Sequence, residues 1–186
     1  MVAGVGAGAA LWATGRDGLG PSALWFVVAA VLMPLRLLAN MLDGMVAVEF
    51  GRVGPTGELY NDVPDRVSDT AVLVGAGYAV GSDPLLGVWA ALMAMFVTYV
   101  RTLGRSTGLA SDFRGPMAKP QRMMVMIAAC ILAAALGAEW PAVEVGGRGY
   151  GVVGVGLVVV IAGCGVTAFR RLIGIARGLH ARSKGT

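Results

Sequence analysis

The chain has 186 residues, 56% of them hydrophobic and only 14% charged, a composition too apolar and too poor in charge for a water-soluble domain of this length. Its formal net charge is +4, but the basic residues flank apolar runs, as topology signals do, and no nucleic-acid-binding module is visible. Both cysteines, Cys130 and Cys164, lie inside apolar runs, and the one histidine, His180, stands in a basic tail, which argues against a disulfide framework, a zinc site or histidine-based catalysis.

We read residues 1–186 as one membrane domain, an all-α integral membrane protein with six transmembrane helices. The first, Val2 to Ala13, is short: 12 residues make about 18 Å of helix, where a bilayer core asks for roughly 20 residues. No basic region precedes it, so a short first transmembrane helix is favoured over a signal peptide. Gly15, Gly18, Gly20 and Pro21 mark a loop. The next run, Ser22 to Ala39, contains Pro34 and an intramembrane Arg36, and extends as helix to Asp43. Gly51, Gly54, Pro55 and Gly57 make a turn, Glu58 opens a third helix, and Asp69 to Val80 is its apolar part. After a turn at Gly81 to Pro84 come a span from Leu85 to Leu103, a polar stretch to Arg122, and an apolar run from Met123 to Leu136 whose helix starts near Lys119. Gly137 to Gly149 reads as a loop and Tyr150 to Phe169 as the last span. The basic tail, with Leu172, Ile173 and Ile175 interleaved, is expected to lie along anionic lipid.

The unusual stretch is Asn40 to Asp69. Of the chain's 11 acidic residues, Asp43, Glu49, Glu58, Asp62, Asp65 and Asp69 crowd into it, and carboxylates at the mouth of a membrane span are costly unless they serve a site. Loop by loop, 12 of the 15 Lys and Arg residues fall on the side of this stretch, which places it in the cytoplasm. We therefore expect a protein of a bacterial cytoplasmic membrane whose active site lies at the cytoplasmic membrane interface.

Asn40 and Asp43 are three apart, Gly44 and Ala47 follow, then Gly57, then Asn61 and Asp65 four apart. On helices those intervals share a face. This arrangement resembles the CDP-alcohol phosphotransferase (CDP-alcohol phosphatidyltransferase) family, whose pattern is D-x2-D-G-x2-A-R, about eight residues, then G-x3-D-x3-D. Asp43, Gly44, Ala47, Gly57 and Asp65 match it; Asn40 and Asn61 stand at Asp positions and Val48 at the Arg position.

The resemblance implies a membrane transferase of phospholipid biosynthesis that moves a phosphatidyl or other substituted phosphate group from a CDP-linked donor, such as CDP-diacylglycerol, to an alcohol, releasing CMP. It implies Mg²⁺ or Mn²⁺, a metal shell of Asn40, Asp43 and Asn61, Asp65 as general base, and a homodimer. Two amides in place of carboxylates weaken that shell. Asp62 and Asp69, three and four residues from Asp65, are candidates to compensate. Gly44, Ala47 and Gly57 leave room for a nucleotide. Arg101, Arg105, Lys119 and Arg122, on the same side of the membrane, are candidates for the pyrophosphate or for an acidic acceptor such as a phosphorylated polyol. The rival reading, which the three departures favour, is a degenerate, non-catalytic family member that binds lipid or a partner. A transporter would want ionisable groups at the midplane and repeated halves, and neither is seen.

Overall fold

A computed structural model describes residues 1–49, 57–110, 115–140, 143–145 and 147–183, without the side chains of residues 43–49 and 57–61. Its helices are α1 (Val2–Ala13), α2 (Ser22–Glu49), α3 (Gly57–Gly77), α4 (Pro84–Ser106), α5 (Lys119–Leu136) and α6 (Val152–Ser183). Four of them, α2, α4, α5 and α6, contain stretches long and apolar enough to cross a membrane, and α1 is a shorter apolar helix. The membrane fold expected from the sequence is therefore present, with six helices among the described residues, of which α3 opens in the charged stretch instead of in an apolar run.

Local chemistry sets the helix ends. Asp83, in extended backbone, accepts a hydrogen bond from the Leu85 amide at 2.8 Å and Pro84 opens α4, the pairing of a capping carboxylate with a proline whose missing N–H costs nothing there. Pro120 does the same for the first turn of α5. On α2, Leu24, Val27, Val31, Leu35 and Leu38 are exposed, and their spacing of three and four residues makes a stripe suited to lipid. Phe26, Ala29, Met33 and Arg36, on the other face, are buried.

Helix α3 packs between α1 and α4; α2 lies against α1 and α5, and α6 against α4 and α5. The α1–α3 crossing is close because both sides are glycine: a Cβ on Gly8 would meet the Ala71 carbonyl oxygen at 2.3 Å, and one on Gly75 would meet the Gly8 oxygen at 2.2 Å. Small residues of this kind let membrane helices pack backbone to backbone. Such packing also explains how a helix as charged as α3 sits in the bundle. Its Asp65 and Asp69 meet cations of α2 and α5, and its Asp62 meets Arg101 of α4.

Two features differ from expectation. The loop after α5 contains a hairpin, β1 (Val143–Val145) and β2 (Arg148–Tyr150), antiparallel with Glu144 opposite Gly149. The last span does not stop at Phe169. It continues as helix to Ser183, where Arg182 donates to the Thr107 and Gly108 carbonyl oxygens at the end of α4. The tail is thus the outer part of α6, with its end held against the end of α4.

Candidate functional site

Two residues of α2 face two of α3, each pair one turn apart: Arg36 and Asn40 opposite Asp65 and Asp69. Arg36 Nη1 donates to Asp69 Oδ1 at 2.7 Å, and its Nη2 donates to Asp65 Oδ1 at 3.0 Å and to the Asp65 carbonyl oxygen at 2.9 Å. Asn40 Nδ2 also donates to Asp65 Oδ1. From the start of α5, Lys119 Nζ binds Asp65 Oδ2, and Arg122 Nη2 reaches Asp69 Oδ2 at 3.1 Å. Three helices are thereby tied together by ion pairs. Arg36, Asp69 and Arg122 are only 2%, 3% and 1% exposed, so charge and countercharge must balance inside the protein.

Asp65 faces a cavity of about 300 Å³ between α3, α4, α5 and α6, whose basic lining comprises Arg66, Arg101, Lys119, Arg122 and Arg171 against the carboxylates of Asp62 and Asp65. Asp62 pairs with Arg66 at 3.0 Å and Arg101 at 3.5 Å and is 47% exposed. Arg66 also donates to Thr98 Oγ1 at 2.5 Å, and Arg171, from α6, donates to the Val97 carbonyl oxygen at 3.1 Å. An excess of guanidinium and ammonium groups around a half-open cavity suits an anionic, multiply hydrogen-bonding ligand.

The structure brings together Asn40, Asp62, Asp65, Asp69, Arg101, Lys119 and Arg122. Arg105 is exposed and does not line the cavity. Asp43, Gly44 and Ala47 lie in the last turns of α2, and Gly57 and Asn61 in the first turns of α3; their side chains and surroundings lie outside the described residues. Both carboxylate oxygens of Asp69 are taken by guanidinium groups, an arrangement that suits an anchor better than the compensating metal ligand suggested by its spacing. Among the described residues, no three acidic, histidine or cysteine side chains converge as a metal site. The residue types do fit a hard divalent ion in their chemistry: Asp43, Asn61 and Asp62 all carry side-chain oxygens, and of these Asp62 lines the cavity.

Sequence reasoning passed over Arg36, Arg66 and Arg171 as site residues. The signal for Arg36 was present: a guanidinium in an apolar run, four residues before Asn40, must share its helix face. Nothing in the sequence announces that Arg171, at the end of the last apolar run, turns inward.

Residues 3–170 match the family model described as CDP-alcohol phosphatidyltransferase. The chain is 34% identical over 102 residues to an archaetidylinositol phosphate synthase of Aeropyrum pernix, covering 55% of this chain and 52% of that one. It is 31% identical over 139 residues to a phosphatidylinositol phosphate synthase of Mycobacteroides abscessus, covering 70% of this chain and 58% of that one. The chain thus spans a little over half the length of each of these relatives. Two crystal structures of Mycobacterium tuberculosis phosphatidylinositol phosphate synthase share the fold, each with a TM-score of 0.69 over 94% of this chain. One, in complex with manganese and citrate, is 19% identical with 78% of its chain covered; the other, with CDP-DAG bound, is 18% identical with 82% covered.

Proposed function

The chain belongs to the CDP-alcohol phosphatidyltransferase family, and from that premise we propose that it is a membrane transferase of phospholipid biosynthesis, one domain over residues 1–186. In this reading it moves a phosphatidyl group from CDP-diacylglycerol to an alcohol, with the active site facing the cytoplasm. The observation that carries the reading is the junction of α2, α3 and α5, where Asp65 opens onto a cavity rich in cations. The reaction balances simply. The acceptor hydroxyl oxygen bonds to the phosphorus bearing the diacylglycerol, the bond from that phosphorus to the CMP oxygen breaks, and the hydroxyl proton leaves to a base.

Asp43 and Asn61, with Asp62 beside them, are the residues that would hold Mg²⁺ or Mn²⁺. When bound, such an ion neutralises phosphate charge and stabilises the leaving CMP. Asp65 is the proposed base. In this structure its two oxygens take bonds from Arg36, Asn40 and Lys119. Lys119, on a flexible stem lining the cavity, is the donor able to leave: it can turn to an incoming phosphate and free Asp65 Oδ2 for the proton. Gly44, Ala47 and Gly57 are proposed to leave space for the nucleotide.

For the acceptor we favour a phosphorylated polyol. Arg101, Arg171 and Lys119 at the cavity support this, and two relatives are synthases of inositol phosphate lipids. The test is CMP release by purified protein given CDP-diacylglycerol, Mg²⁺ or Mn²⁺, and either inositol phosphate or free inositol. Release with the phosphorylated acceptor alone supports the reading. Equal release with both would remove the phosphate from acceptor recognition. The substituted positions Asn40, Asn61 and Val48 keep a second reading open, a non-catalytic member that binds lipid or a partner; nucleotide binding without CMP release from any acceptor would favour it.

A further inference from the structure

We propose that Arg36 is a positioning residue for Asp65, and that Asn40 works beside it as a hydrogen-bond donor to Asp65 rather than as a weakened metal ligand. This rests on the transferase reading and deepens it. Arg36 is 2% exposed and is not among the residues that line the cavity, so it acts on the site through Asp65 and not by facing the open space itself. Balance of charge at Asp69 does not account for it, because Arg122 already pairs with that carboxylate at 3.1 Å. The second arm of the guanidinium goes to Asp65 instead, to a side-chain oxygen and to the backbone carbonyl of the same residue. A planar fork gripping carboxylates one turn apart fixes the rotation of α3 as well as the direction of one side chain.

The sense of the Asn40 bond follows from chemistry. A carboxylate held by Arg36 and Lys119 is ionised and only accepts, so the amide must present its nitrogen to Asp65. An aspartate at position 40 would set two carboxylates against each other. The amide at a family Asp position thus acts together with a cation one turn earlier: Arg36 and Asn40 form a two-point donor clamp from α2. Room for the arginine stem comes from α1, where a Cβ on Gly4 would stand 3.0 Å from Arg36 Cδ.

The experiment uses the full chain in lipid nanodiscs, with CMP release measured against CDP-diacylglycerol concentration and Mn²⁺ affinity measured separately by electron paramagnetic resonance. Arg36→Lys keeps a charge but loses the fork, and Arg36→Met loses both. The expected result is a kcat at least fivefold lower in Arg36→Lys and lower still in Arg36→Met, with donor KM and Mn²⁺ affinity within threefold of wild type. Should Arg36→Met not fold, Arg36→Lys alone decides. A smaller fall in kcat, or a parallel loss of Mn²⁺ binding, overturns the assignment. Asn40→Asp is expected to lower CMP release even though it installs the family's residue; a rise overturns the donor role of Asn40. A wild-type protein that releases no CMP sinks the transferase reading, and this inference with it. An active wild type with equally active Arg36 variants sinks this inference alone.

Discussion

Replacing Asp69 with Asn separates an anchoring role from a metal-binding one. Asp69 carries one negative charge between two guanidinium groups, Arg36 at 2.7 Å and Arg122 at 3.1 Å, and is 3% exposed. Removing the charge while keeping the shape leaves two buried cations with one amide between them, and breaking a buried ion pair from one side costs about 3–5 kcal/mol. That is a large part of the margin by which a protein is folded. The assay is unfolding of wild type and Asp69→Asn in detergent, with and without Mn²⁺. The double variant Asp69→Asn with Arg122→Gln removes a cation as well and is expected to recover part of the loss. If Asp69→Asn stays within about 1 kcal/mol of wild type without metal but binds Mn²⁺ weakly, the anchoring argument is refuted, because ion pairs buried that deeply cannot be lost so cheaply.

Other consequences follow from particular contacts. Gly8→Ala drives a methyl to 2.3 Å from the Ala71 carbonyl oxygen, whereas Gly149→Ala meets nothing within 4 Å; thermal unfolding should show a loss of roughly 1–3 kcal/mol for the first and little change for the second. Asp83→Ala removes the cap of α4 and the partner of Arg148, at a cost of about 1 kcal/mol, while Arg148→Ala breaks only the 72%-exposed side of that pair and should change the unfolding midpoint less. Asp62→Ala, whose ion pairs are partly exposed, should alter stability by under about 1 kcal/mol yet weaken Mn²⁺ binding; unchanged Mn²⁺ affinity would remove Asp62 from the metal shell.

The helices were legible because a membrane span must be apolar over a fixed length, and runs such as Leu85 to Leu103 leave no alternative. The acidic stretch was legible because a carboxylate beside a span demands a reason. The partners of those acids were not. Arg36 meets Asp69 across 33 residues and Lys119 meets Asp65 across 54, and no local period encodes such pairings. Asp62, Asp65 and Asp69 share a helix face, as their spacing said, but Asp62 turns to Arg66 and Arg101 while Asp69 is sealed between Arg36 and Arg122. The hairpin was hidden by its size, since strands of three residues flanked by glycine carry no readable alternation. The continuation of α6 beyond Phe169 was not legible because Arg170 and Arg171 end the apolar run, and the contacts that hold this part against α4 are remote in sequence: a Cβ on Gly104 would meet Ile175 Cδ1 at 3.1 Å.

The central claim is that Asp65 takes the acceptor's proton at a centre assembled from α2, α3 and α5. Its most direct test is CMP release from CDP-diacylglycerol by wild type and Asp65→Asn at matched Mn²⁺ and nucleotide occupancy. The account predicts release by wild type and a loss of at least a hundredfold in the variant, the scale of general-base catalysis, with the nucleotide still bound. Release from Asp65→Asn at the wild-type rate would contradict it.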